Sequence, residues 1–226
     1  TTAKVRAVNG TIQLKGEDIY FNDYAVTTSG KIEILAGQGG SSTGEIYSTA
    51  ASASQTAAFD LKAGSFDIEQ RTGETATVNG DEGIGRSGGN TLQIVSAGQV
   101  DAEADGPIHL TSVADIANSG GNPLYVGLID AGANAVTLVG NANVTDTGTD
   151  SATDIIATTL TINDGAGTPG SAGTITLDTA VTTLNLNGGA VKIHDGTGLD
   201  ITSITASTLD LLTNGKITDS GNIAVT

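Results

Sequence analysis

The chain has 226 residues, 32 of them glycine, with 3% aromatic residues and no cysteine, methionine or tryptophan. That composition rules out disulfide bracing and argues against a core built on large side chains, leaving Ile, Leu, Val and Ala to fill a thin one. A net charge of −16 with only nine Lys plus Arg leaves no clustered cations for nucleic acid and disfavours anionic membrane surfaces.

From Lys4 to Leu35 apolar residues stand two apart: Val5, Ile12/Leu14, Ile19/Phe21 and Ile32/Ile34. Period two predicts strands with one face inward. Asn9-Gly10 and Ser29-Gly30 mark corners, and Gly10-Thr11-Ile12 returns as Gly30-Lys31-Ile32. Residues 36–56 hold one apolar pair among small polar residues, which predicts a loop or a degenerate rung. Phe59/Leu61 and Phe66/Ile68 are strands again, and the Gly-rich, charged stretch 72–90 is a second excursion.

After Thr91 the pattern is more regular: Leu92/Ile94, Val100, Ile108/Leu110, Leu124/Val126/Leu128, Val136/Leu138, Leu160/Ile162 and Ile175/Leu177. One unit is then written twice, TLNLNGGAVKIHDGTGLDI (Thr183 to Ile201) and TLDLLTNGKITDSGNIAV (Thr208 to Val225). Aligning the copies puts Leu184 on Leu209 and Asp195 on Asp219, a period of 24–25 residues. Asx-containing turns recur at Ile116–Gly120, Val144–Gly148, Ile193–Thr197 and Ile217–Gly221, where the side chain caps its own turn. No segment carries a 3.6-residue apolar stripe with caps, so no long helix is expected.

These features predict one all-β domain over 1–226, a right-handed parallel β-helix (β-solenoid) with irregular loop excursions. Roughly ten rungs at about 4.8 Å would make a rod on the order of 50 Å long. An antiparallel β-sandwich is the rival fold.

The chemistry is sparse. His109 and His194 alternate with inward Ile or Leu, which points both outward from strands. Arg6, Arg71 and Arg86 do not accompany a repeated acid pair in sequence, so no enzyme is predicted: catalytic residues, none. Asp146, Asp150 and Asp154 lie four apart, and their oxygens suit Ca²⁺, the single cofactor considered. The EF-hand loop and the Ca²⁺-binding nonapeptide repeat are both absent. Asp101, Glu103 and Asp105 share one strand face with Ala102 and Ala104 behind them, the pattern of a solvated surface. GDEGIGRSGG lacks the Lys-Ser/Thr of a phosphate loop. Tyr24 and Tyr47 are the candidates for glycan binding, because three of the four tyrosines sit near the first excursion. Thr183 and Thr208 fall short of the regular Thr face of an ice-binding solenoid.

TLQIVSAGQVDAEADGPIHL, TLNLNGGAVKI and TLDLLTNGKI resemble the filamentous-haemagglutinin type of bacterial surface exoprotein, with x-Leu-x-Leu followed by Gly-x-Ile or Gly-x-Val. The resemblance covers about two thirds of the chain, and the NPNL-type secretion motif is missing. It implies an extracellular, cell-surface β-helix that carries adhesion or builds a fibre. The chain begins at Thr1 without an initiator Met, a signal peptide or a bilayer-length apolar run, so a processed or excised piece of an exported protein is expected. Expected partners are further copies stacked end to end into a filament, or neighbouring repeats of a longer chain. A host or cell-surface glycan or receptor is the other candidate; nucleic acid and membrane insertion are not expected. A carbohydrate-binding or polysaccharide-degrading β-helix is the alternative function.

Overall fold

The computed structural model describes residues 5–21, 25–27, 29–37, 44–48, 60–71, 83–87, 91–113, 123–140, 142–148, 151–164 and 173–226. Among the described residues the protein is all-β: twenty strands, no helix, and every strand pairing parallel. The antiparallel sandwich therefore has no support.

Two long ladders run through the molecule. One begins Val5–Ala7, Ala25–Thr27, Leu61–Ala63 and Leu92–Ser96 and continues to Ile217–Val225. The other begins Ile12–Lys15, Lys31–Ala36, Ser65–Gln70, Gln99–Ala104 and Leu124–Asp130, and ends at Thr208–Thr213. Ile155–Asn163 and Ile175–Asn187 turn a corner and belong to both. A short third face pairs Ile19–Phe21 with Ile46–Ser48, and Ile46 bridges on to Ile84 and Ile84 to Ile108. Residues within both stretches expected as excursions thus take part in the hydrogen-bonded body.

Alternation builds the core. Lys31–Ala36 and Ser65–Gln70 bury every second residue, and parallel register stacks like on like: Ile32 on Phe66 on Val100, Ile34 on Ile68 on Ala102. All six are 2% exposed or less. Each fully buried Ile, Leu or Phe contributes about 1.5–3 kcal/mol, so many small stacks replace one bulky core. Glycine makes the corner between the ladders possible. Gly10, Gly30, Gly64 and Gly98 each stand two residues before a core position, and the Gly64 amide donates to the Gly30 carbonyl at 2.8 Å. A Cβ on Gly30 would lie 1.9 Å from the Gly10 carbonyl oxygen.

The register corrects two expectations. Leu184 stacks on Ile201, Val191 on Leu209 and Ile204 on Ile223, so near the C-terminal end neighbours in a ladder are 16 to 19 residues apart, not 24–25. The Thr-Leu-x-Leu copies consequently sit in different ladders. The 24-residue spacing is real one step earlier, where Leu160 pairs with Leu184 and Ile155 with Thr179. Second, Leu128 is only partly buried and Ile129 takes the core position beneath Ala102. The shift is a bulge at Gly127 and Leu128, where Asp101 Oδ1 accepts the Leu128 amide at 2.9 Å and leaves a Cβ on residue 127 no room.

Candidate functional site

The acids expected around residue 150 are brought together in a different set. Asp150 lies outside the described residues. Asp146 and Asp154 converge with Asp178, which the 24-residue spacing delivers from the neighbouring strand, and one carboxylate oxygen from each lies within 4.8 Å of the others. Asp154 is 3% exposed and accepts the Asp178 amide at 2.7 Å. Burial, then the neighbouring carboxylates Asp146 and Asp178, push its pKa from 3.8 up to about 7, against the pull of that amide. His194, in register with Asp178, places Nδ1 2.7 Å from Asp178 Oδ1. The cluster can share a proton. Its oxygen spacing also suits one cation with ligand distances of about 2.4 Å, for which three carboxylates supply only part of the six to eight ligands of Ca²⁺. The linear spacing of the acids hides Asp178, which stands one ladder step, 24 residues, from Asp154.

Neighbouring acids are structural. Asp195 is fully buried and accepts from Thr179 Oγ1, the Val181 amide, the Thr197 amide and Thr197 Oγ1 at 2.8–3.0 Å. Asp146 and Asp219 cap their turns through the Gly148 and Gly221 amides, as the Asx motif predicts. His194 is half-exposed, whereas His109, although it alternates with Ile108 and Leu110, is only 8% exposed; the outer face is covered there as it is at Gln93 and Val95.

The outer face of the second ladder stacks Glu33 on Asp67 on Asp101, and Glu69 on Glu103. Ala102 and Ala104 point inward behind these acids, as the alternation predicts. Lys31 reaches Asp67 at 2.7 Å and Glu33 at 3.3 Å. Arg71 reaches Glu103 at 3.2 Å and Glu69 at 3.6 Å, so an arginine does accompany a repeated acid pair, one that stacking creates and the linear sequence hides. Such exposed pairs offset like-charge repulsion and contribute less than about 1 kcal/mol each.

Two tyrosines form a surface pair on the third face. Tyr24 lies outside the described residues; Tyr47 pairs in register with Tyr20, ring centroids 4.7 Å apart and tilted by 57°. The Arg86 guanidinium lies 3.8 Å from the Tyr47 ring centroid and ion-pairs with Glu45. Burial and the hydrogen bond to Asp18 push the Tyr20 phenol up to about 12.

No protein-family model matches the chain, and comparison with curated proteins and with solved structures finds no match either.

Proposed function

We propose that this chain is a segment of a right-handed parallel β-helix that serves as a non-enzymatic structural and adhesive rod at a bacterial cell surface. In this reading it lengthens by end-to-end stacking. One observation carries the proposal: residues that register assigns to the core lie open on the last strand. Ile217 stacks on Leu199, Ile223 on Ile204 and Val225 on Ala206, yet they are 44%, 41% and 52% exposed, while the residues beneath them are 2% or less. An open strand edge above uncovered core side chains is a template for one more parallel strand, whether more of the same chain or a second copy supplies it. Val5, stacked on Ala25, is 38% exposed at the other end, so a second copy offers the matching surface.

Several features support a scaffold over an enzyme. The ladders are repetitive, Arg71 and Lys31 are each engaged with acids on neighbouring strands, and Asp195 is saturated by donors that hold turns together. The acidic surface keeps such a rod soluble and discourages side-by-side aggregation. The motif likeness to filamentous-haemagglutinin-type exoproteins supports the extracellular setting.

Electron microscopy and sedimentation velocity across concentrations test the proposal, with Ile223→Lys as the edge-blocking variant. Wild type should form rods that lengthen with concentration, and Ile223→Lys should give short particles of unchanged secondary structure. Single short particles of the wild type at every concentration, or long rods of Ile223→Lys, would overturn end-to-end stacking.

A further inference from the structure

The two long ladders differ on their outer faces. The second carries ionised side chains on each strand from Ile12–Lys15 to Gln99–Ala104, among them Lys15, Glu33, Asp67 and Asp101. The first ladder, over Ala135–Val139, Ile155–Asn163, Ile175–Asn187 and Leu199–Ala206, is nearly free of them. Register stacks Thr137, Thr161, Asn185 and Ser203 into a central outward column. Flanking columns run from Ala135 to Asp200 and from Val139 to Thr205, and Asp200, at one corner, is the single ionisable group of the three columns. None of these outward side chains is buried. The four strands lie inside the ladder, with Ile108–Ser112 before them and Ile217–Val225 after, so the face opens sideways whatever covers either end.

We propose that this neutral face is a lateral docking surface for a second copy of the chain, through which stacked rods join in pairs. The inference rests on the end-to-end reading above. Charge selects the face: in a chain of net charge −16, two copies meeting through their second ladders oppose acid to acid, whereas here hydroxyls and amides meet. Thr hydroxyls and Asn amides both donate and accept, so a twofold pairing of the face with itself is self-complementary. Area sets when pairing occurs. Four strands about 4.8 Å apart, each presenting about five residues at 3.3 Å, offer about 320 Å² per copy. A single pair therefore buries roughly 600 Å², about half of what the smallest specific interfaces need. Each added copy in a rod repeats the contact without a new association cost, so rods of two or more copies pair where single chains do not. The acids of the second ladder keep further rods away, which limits the assembly to pairs.

Electron microscopy of the full chain across concentrations, scoring rod length and rod width separately, tests the face. Wild-type rods should become two wide as they lengthen. Asn185 is exposed, so Asn185→Glu and Asn185→Lys should leave fold and rod length unchanged. Each variant alone should pair at least about tenfold less often, because like charges then face each other across the contact. Mixing the two variants should restore pairs, a rescue that general loss of solubility or folding would not give. Wild-type rods that lengthen yet stay single would overturn the pairing and leave stacking intact. Pairs that survive in both variants would also overturn it, since the contact would then lie elsewhere. Chains that never lengthen would overturn stacking and this pairing with it. Single wild-type rods retained on a neutral polysaccharide, with retention lost in Asn185→Glu, would overturn it in favour of a glycan-binding face.

Discussion

Replacing Asp154 with asparagine isolates the buried acid cluster. The substituted side chain keeps the shape and one oxygen to accept the Asp178 amide, but cannot ionise. In the native chain the Asp154 pKa rises from 3.8 to about 7, because the carboxyl is buried and faces Asp146 and Asp178, with His194 reaching the cluster only through Asp178. The folded chain therefore binds more protons than the unfolded chain between about pH 4 and 7. Stability falls as pH rises through that window and levels off above it. Ionising this carboxyl costs the folded state on the order of 4 kcal/mol. Urea denaturation at pH 4.5, 6 and 8 in EDTA measures the effect as the difference between Asp154→Asn and wild type. That difference should be small at pH 4.5 and should grow to favour the variant by a few kcal/mol at pH 8. A difference that stays constant with pH would refute the argument. Repeating the series in Ca²⁺ separates a shared proton from a bound cation: a cation would stabilise wild type at pH 8 and leave Asp154→Asn unmoved.

Other positions follow from the same packing. Gly30→Ala drives a Cβ into the Gly10 carbonyl and should cost about 3 kcal/mol or more, whereas Gly10→Ala, whose Cβ meets only Ala7 at 3.9 Å, should be nearly neutral by thermal melting. Phe66→Ala, at a fully buried position between Ile32 and Val100, should lose about 3–5 kcal/mol in chemical denaturation. Asp195→Ala leaves the Thr179 hydroxyl and the Val181 and Thr197 amides without this acceptor, while the Thr197 hydroxyl keeps the Val181 carbonyl, and should cost about 2–4 kcal/mol, with Asp195→Asn recovering part of it; equal stability of all three chains would contradict the capping role. Ile223→Lys, at an exposed end, should change monomer stability by less than about 1 kcal/mol while abolishing assembly.

The alternation of Ile32/Ile34, Phe66/Ile68 and Leu160/Ile162 was enough to read strands and their inward faces from the chain alone, since a side chain's side of a strand depends only on parity. Gly10-x-Ile12 and Gly30-x-Ile32 likewise marked stacked corners, and at Gly30 a Cβ would run into the Gly10 carbonyl. The Asx turns at Asp146, Asp195 and Asp219 were legible for the same local reason. Register was not local. Whether Leu184 meets Leu209 or Ile201 depends on how many residues each turn of chain consumes, and that number changes from 24 to 17 within one strand, Ile175–Asn187. Every site that needs two strands inherits that uncertainty. Asp178 joins Asp154, Arg71 joins Glu69 and Glu103, and Tyr20 rather than a sequence neighbour joins Tyr47 because the parallel ladders superimpose residues 24 to 34 positions apart. The chain by itself determined the kind of secondary structure and the faces of its strands. Tertiary stacking alone decided which charges and rings stand next to one another, since that spacing is set by hydrogen bonds between strands and not by anything within one.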